Sequence, residues 1–458
     1  MQELVTIILA AGAGIRMKSV AAKVTHKICG RPMLSFVMDA AEQTGSGETI
    51  LILGHQADQV REYAGKATCI LQENQLGTGH AVMQARNLLE GRTGTALILY
   101  GDTPVITSET LKAAHEIHIQ NKNQVTVITA FFEDPAGYGR IVRDREGRVI
   151  SIVEHKDADE KQRAIHEINS GMYFFEIPAL LKALDTLTNS NKQGEYYLTD
   201  TVAGILRENG RAGTYTVSDN AEIMGVNDRR QLAEVERIIN SGIIRRHMLG
   251  GVTFVLPETS LIGSKVQIGA DTIIYPGTML EEGTIIGGSC FIGPYSRISN
   301  SSVGNNVHIM NSVVIDSEIG SKTTIGPFAY LRPGSKIGDN VKIGDFVEIK
   351  KSEIKENSKV SHLTYIGDAE IGRNVNVGCG VVVVNYDGLS KHRTIVGDNA
   401  FIGCNVNLVS PVEIKDHAYI AAGSTITEDV PEYALAIARS RQTIIADWVK
   451  KKGLDKKK

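Results

Sequence analysis

The residues best suited to chemistry fall into two groups far apart in the chain. The first opens with "LAAGAGIRM", Leu9 to Met17. Gly12 and Gly14 let backbone N–H groups approach a phosphate, and a helix opening there favours negative charge. Arg16 and Lys23 follow closely and carry charge that neutralises phosphates. "YGD", Tyr100 to Asp102, ends an apolar run with a carboxylate suited to magnesium. The second group lies beyond residue 330. His362, in "SHLTY", is an imidazole able to take a proton near neutral pH. Tyr365 follows it, Asn376 lies further along, and Arg332 and Lys350 offer two cations for a phosphate. Each has a plain alternative: a strand–helix turn, a turn aspartate, one structural histidine among 12, a solvated charged surface. The glycine loop lacks the third glycine of a dinucleotide fingerprint, where Met17 stands, and the Gly-Lys-Ser/Thr ending of a P-loop.

The elements that position these residues show two regimes. Residues 1–227 alternate short β-branched runs ("LVTIILA", "TILIL", "ALILYGD", "QVTVITAFF") with amphipathic stretches such as "PMLSFVMDAAEQT". That alternation predicts an α/β domain on a mostly parallel sheet, with ligands beyond the carboxyl ends of the strands. Residues 228–248 carry apolar side chains at helical spacing opposite a charged face and predict a linker helix. From 249 to 458 Ile or Val followed by Gly recurs on a six-residue beat, as at Ile262-Gly263, Ile268-Gly269, Ile286-Gly287 and Ile292-Gly293. A hexapeptide period is a solenoid signature: each unit is a short strand and turn, and three units make a triangular coil. The beat stops in "GCGVVVVNYDGLSKHRTIVGDNAFIG", Gly378 to Gly403, on the polar tetrad "NYDG". A loop leaving a rigid scaffold is where a site can be built.

At 458 residues the chain has room for two or three domains. A net charge of −3 argues against nucleic acid as a partner, while leaving room for a local basic pocket. The five cysteines are scattered without CxxC spacing, which argues against disulfide frameworks and zinc sites and makes a reducing cytoplasm the expectation. No apolar run approaches the roughly 20 residues that span a membrane. "TIILAAGAG" has no basic flank and reads as a buried strand, not a leader.

Further motifs are "QLGTGHA", "GYGRI", "VEHKDA", "EINSGMY" and "GVN". With "LAAGAGIRM" they make the first half similar to the sugar-1-phosphate nucleotidyltransferases. Taken with the hexapeptide half, the whole chain resembles the bacterial bifunctional family of N-acetylglucosamine-1-phosphate uridyltransferases and glucosamine-1-phosphate acetyltransferases. The resemblance implies a Rossmann-like mixed α/β domain, then a left-handed parallel β-helix, in a cytoplasmic homotrimer. It implies acetyl transfer from acetyl-CoA to glucosamine-1-phosphate, then magnesium-dependent transfer of UMP from UTP to N-acetylglucosamine-1-phosphate. On it, Leu9, Ala10, Ala11, Gly12, Gln72, Gly77 and Thr78 hold the nucleotide, and Arg16 and Lys23 face the phosphates. Tyr100, Gly101, Gly139, Glu154 and Asn169 line the sugar side, and Asp102 with Asn227 binds magnesium. In the second half His362 is the base, and Arg332, Lys350, Tyr365, Asn376, Asn385, Tyr386 and Lys391 hold glucosamine-1-phosphate, the last three from the interrupting loop and reaching toward a neighbouring subunit. Cys379, Cys404, Ala422 and Arg439 contact acetyl-CoA.

The chain departs from the family's usual pattern at Ile15 (usually Thr), Ala22 and Thr25 in "AAKVTH", Cys379 (usually Ala) and Cys404 (usually Ser). The plain reading of both cysteines is small-residue packing inside the coil. Two other functions fit parts of the pattern: a nucleotidyltransferase whose β-helix only assembles or regulates it, and a binding protein without catalysis. His362 with the "NYDG" loop argues against the first, and Lys23, Asp102 and Asn227 together argue against the second.

Overall fold

The run "LVTIILA" becomes β1, Leu4–Ala10, buried along its whole length. A strand covered on both faces has no polar side to alternate with, so its sequence is continuously apolar. A computed structural model describes residues 3–456 of the chain, which forms two units, Met1–Gly242 and Ile243–Lys458.

In the first unit, β1 is flanked by β2 (Glu48–Leu53), then β3 (Thr68–Leu71), on one side and by β4 (Thr95–Tyr100) on the other. Beyond β4, in spatial order, come β8 (Glu167–Glu176), β5 (Val125–Phe131) and β9 (Ala212–Thr216). A hairpin of β6 (Gly139–Arg143) and β7 (Val149–Val153) hangs on β8. The β1–β2, β1–β4, β2–β3 and β5–β9 pairs are parallel, and β8 runs antiparallel to β4, β5 and β6. The sheet is therefore mixed. A core that includes Val5, Ile7, Ile50, Ile52, Ile98 and Phe175 holds it together. The register of β8 on β5 slips between Asn169 and Tyr173, where Gly171 takes φ +84°; such a bulge re-aims the side chains on either side of it.

A 21-residue helix, Arg229–Leu249, follows. The second unit is a left-handed parallel β-helix of hexapeptide repeats, with three parallel sheets of 11, 10 and 9 strands among the described residues. Until the last coil each strand pairs with the third strand after it, as Ile262 with Leu280, then Leu280 with Ile298. Ile262, Leu280, Ile298, Ile349 and Ile366 all point into the prism and are buried, because side chains alternate across a strand. Corners need left-handed backbone, and Asn306, Asn340, Asn357, Asn374 and Asn399 supply it at φ 55–59° or 62°. Asn340 donates from Nδ2 to Asn357 Oδ1 at 2.8 Å, which ties corner to corner.

Equivalent positions in successive coils are 16, 17 or 18 residues apart. Across the "NYDG" stretch the spacing is 25, as between Asn374 and Asn399, yet Ile371 still pairs with Val396 and Val383 with Leu408. The extra residues leave the prism as one loop and the coil resumes in register. That loop is built internally. Asp387 accepts from the N–H groups of Leu389 and Ser390 and from His392 Nε2, and Tyr386 bridges Lys391. Among the described residues no helix is long and apolar enough to cross a membrane.

Candidate active sites

Leu9, Ala10, Ala11, Gly12, Lys23, Gln72, Gly77, Thr78, Tyr100 and Asp102 line one cleft of about 290 Å³ at the carboxyl ends of β1, β3 and β4. A Cβ on Gly12 would meet no protein atom within 4 Å, so this glycine keeps open space at the cleft's edge. Gly77, at φ +107°, lets the loop close on the opposite wall, where a Cβ would lie 2.6 Å from the Tyr196 carbonyl oxygen. The Gly79 N–H then donates to that oxygen at 2.8 Å, and Gln72, buried, donates to the Gly77 carbonyl at 3.2 Å.

Lys23, Asp102 and Asn227 meet although they come from three separate segments. The Val226 N–H donates to the Asp102 carbonyl at 2.8 Å and holds the two segments side by side. The Lys23 ammonium hydrogen-bonds Asp102 Oδ2 and, at 3.3 Å, Asn227 Oδ1. Two hard oxygen donors thus already converge on one cation, a donor set that fits magnesium when substrate phosphates and water complete the shell. Among the described residues no group of three or more His, Cys, Asp or Glu is placed to hold a metal by protein ligands alone.

The residues assigned to the sugar side form a second cluster, with Gly101, Gly139 and Asn169 buried and Tyr100 and Glu154 half-buried. Gly139 pairs with Asn169, whose Nδ2 donates to the Tyr173 hydroxyl at 2.7 Å. Burial pushes the Glu154 carboxyl up from the ordinary carboxylate range, partly opposed by the Thr199 hydroxyl, which donates to it at 3.2 Å. Burial, aided by Glu154 and Asp102, also pushes the Tyr100 phenol up, and burial with the adjoining Tyr100 does the same to Tyr173. A Cβ on Gly101 would lie 3.2 Å from both Leu34 and Val24 and 3.4 Å from the Leu9 carbonyl oxygen, so a larger residue would crowd this wall. Arg16 stands apart, exposed on the turn Ile15–Met17 and outside the cleft lining.

In the β-helix, His362 Nδ1 lies 2.5 Å from Asp345 Oδ1, with the two residues in register on adjacent coils. The imidazole in turn holds the Asp345 carboxyl below its ordinary range. A carboxylate on Nδ1 fixes the tautomer that leaves Nε2 free to accept a proton. Glu348 and Tyr365, each three residues further on, pair across the next sheet face. At the far side of that face the cations gather. Arg332 donates to Glu348 at 2.8 Å, and Lys350 sits against Lys391, whose side-chain contact, with desolvation and its like charge, pushes the Lys350 pKa down. Asn385, buried, donates to Asp368 at 2.6 Å and to the Tyr365 hydroxyl at 3.5 Å. Within this chain Asn385 thus joins Asp368 and Tyr365, and Lys391 lies beside Lys350. Tyr386 is exposed, its hydroxyl donating to Gly388 O at 2.6 Å. Asn376 lies on the preceding face, between Lys359 and Phe401.

The four residues assigned to the acetyl donor follow His362 up one corner. Gly380 N bonds His362 O, Asn405 N bonds Cys379 O, and Gly423 N bonds Cys404 O, so His362, Cys379, Cys404 and Ala422 occupy equivalent places on successive coils. Arg439 passes over this column, its Cδ 4.0 Å from where a Cβ on Gly423 would lie. Cys404 is exposed and Cys379 half-buried, so packing inside the coil is the wrong reading for Cys404: it sits on the outer corner, where the side chain faces solvent.

Sequence reasoning missed Asp345, Asp368 and Tyr173. Asp345 had a signal: it occupies the place one coil before His362, as "IGDF" before "VSHL". Tyr173 had none, because the β8 bulge decides which way it points.

The fold and the sites define a transferase of two parts. The nucleotidyl transferase family profile matches residues 5–221, and the bacterial transferase hexapeptide profile (six repeats) matches 316–351 and 393–428. The two hexapeptide blocks flank the stretch that holds His362 and the interrupting loop. Over its whole length the chain is similar to curated relatives named bifunctional protein GlmU. It is 56% identical to that of Acetivibrio thermocellus over 455 residues, covering 99% of each chain. It is 56% identical to that of Thermoanaerobacter pseudethanolicus over 453 residues, again 99% of each. For Clostridium novyi the figure is 53% over 454 residues, 98% of this chain and 99% of the relative. The chain belongs to the bifunctional GlmU family.

Proposed function

We propose that this chain makes UDP-N-acetylglucosamine in two steps, as a cytoplasmic homotrimer: residues 249–458 acetylate glucosamine-1-phosphate from acetyl-CoA, and residues 1–227, joined through 228–248, transfer UMP from UTP to the product. The observation that carries the two-reaction reading is the Asp345–His362 pair beside the Arg332, Lys350 and Lys391 cations, since a β-helix that only assembles subunits needs neither.

In the acetyl step the cations hold the sugar phosphate. His362 Nε2 takes a proton from the attacking amine, and the amine nitrogen bonds the thioester carbonyl carbon. The C–S bond then breaks, and the thiolate leaves and is protonated. Asp345 keeps the imidazole oriented and stabilises its charged form. In the uridylyl step the sugar phosphate, already an anion, attacks the α-phosphorus of UTP and pyrophosphate leaves in line, so alignment and charge neutralisation suffice. Asp102 and Asn227 would hold magnesium, which supplies positive charge to the phosphates. Gln72, Gly77 and Thr78 bind the nucleotide, Glu154 and Asn169 the sugar, and Lys23 a phosphate.

The test follows free thiol with glucosamine-1-phosphate and acetyl-CoA, then pyrophosphate after UTP and magnesium are added. Both products are expected. Pyrophosphate from acetylated substrate without thiol release from the amine overturns the acetyltransferase half, and the reverse overturns the uridyltransferase half.

A further inference from the structure

Lys23 is in an unusual place for a phosphate-binding residue. Its ammonium is held by Asp102 Oδ2 and Asn227 Oδ1, on the two residues that would hold magnesium. The lysine and aspartate side chains are 15% and 16% exposed, so the contact is shielded from solvent. The lysine stem is fixed too. Gly14, at φ +59°, brings the glycine loop down on it, and a Cβ there would lie 2.7 Å from Lys23 Cβ. An ammonium and a divalent cation cannot share a two-oxygen pocket, because their repulsion at contact distance in a partly shielded site is large.

We propose that Lys23 is an internal counter-cation: it occupies the Asp102–Asn227 pair until a divalent metal displaces it, and the displaced ammonium is the group that then meets the nucleotide phosphates. This rests on the magnesium-dependent uridylyl reading above. The lysine keeps Asp102 paired while the site waits, so no carboxylate is left shielded and alone. It also makes metal binding weak until a triphosphate arrives to receive the lysine. Metal and nucleotide therefore bind with positive coupling, each paying less when the other is present. Asp102 and Asn227 attract the metal, and Lys23 sets when it enters.

The experiment measures free Mn²⁺ by electron paramagnetic resonance in titrations of the full-length protein, with and without UTP, for wild type and for Lys23→Met, which keeps the stem and removes the charge. Without UTP, Lys23→Met is expected to bind Mn²⁺ about tenfold more tightly than wild type, because the competitor is gone. With UTP the advantage is expected to vanish or reverse, because the phosphates lose a cation. Lys23→Gln, which keeps a hydrogen-bond donor without the charge, is expected to fall near Lys23→Met. Equal or weaker Mn²⁺ binding by both variants without UTP, where wild type binds Mn²⁺ with UTP, overturns the counter-cation and leaves the magnesium reading intact. No Mn²⁺ binding by wild type even with UTP overturns the magnesium reading and the proposal together.

Discussion

Asp345 Oδ1 and His362 Nδ1 are 2.5 Å apart, held there by the pairing of adjacent coils of the β-helix. The spacing comes from the scaffold, since both residues belong to strands whose backbones are tied one above the other. Asp345→Asn replaces an acceptor with a side chain that can donate to Nδ1 and select the wrong tautomer. Thiol release is expected to fall roughly 10- to 100-fold in kcat, with KM for glucosamine-1-phosphate little changed. Pyrophosphate formation from pre-acetylated substrate should be unaffected. Unchanged thiol release would remove Asp345 from the mechanism.

Lys350 and Lys391 form a like-charged pair that is best occupied by an anion. Lys391 lowers the Lys350 pKa, so Lys350 sheds its proton as pH rises before an ordinary lysine would. The charged form binds phosphate, so KM for glucosamine-1-phosphate is expected to climb on the alkaline side while kcat holds. Lys391→Met should raise KM at neutral pH by roughly tenfold, as loss of one charge-assisted contact does. It should also move the alkaline limb to higher pH, because Lys350 no longer faces a like charge. Steady-state KM measured across pH checks both parts, and a limb that stays put contradicts the pairing.

These two predictions separate what the sequence made legible from what it did not. The hexapeptide beat located the β-helix and its interruption, because a period of six with an aliphatic head has few other physical causes. The glycine loop and Asp102 fell together because strand ends in an α/β sheet share one edge. Asp345 was harder to find, since coils of 16, 17 and 18 residues shift its offset from His362. The Lys350–Lys391 contact depends on how a loop folds back on Asp368 through Asn385, and no periodicity describes that. Tyr173 reaches Asn169 only through a bulge at Gly171. The exposure of Cys404 likewise follows from a corner position, which composition does not mark.

Glu154 is a half-buried carboxyl whose ionisation the fold resists, and its proposed work is to bind sugar. Its folded pKa is raised above the unfolded value by burial. The stability linked to it is therefore fully present below the unfolded pKa and lost as pH rises through the folded one. Glu154→Gln removes that penalty. The variant is expected to protect the β6–β8 segment from hydrogen exchange more than wild type at pH 8, with little difference at pH 4, while KM for N-acetylglucosamine-1-phosphate rises. Equal protection at both pH values would show that burial of the charge costs nothing measurable. A loss of stability at pH 8 would show that the Thr199 hydrogen bond outweighs burial.

His118 supplies the clearest dependence of stability on pH in the first unit. It lies in the helix Ser108–Gln120, 4% exposed, with its ring near His115 and Phe174 and its Nδ1 3.0 Å from the Thr126 hydroxyl. Burial, with a smaller push from His115, lowers its pKa from 6.5 to about 4. Between those values the unfolded chain binds a proton that the folded chain refuses. Stability is therefore present above pH 6.5 and is lost as pH falls toward 4, and the gap corresponds to roughly 3 kcal/mol at most. His118→Gln keeps a polar group for Thr126 and does not titrate. Hydrogen exchange in the helix and in β5, followed from pH 7 to pH 4, should steepen in wild type and stay flatter in the variant. A residual slope is expected from His115, whose pKa is also lowered by burial. If wild type and His118→Gln show the same slope, His118 is already protonated in the folded state and the burial argument fails.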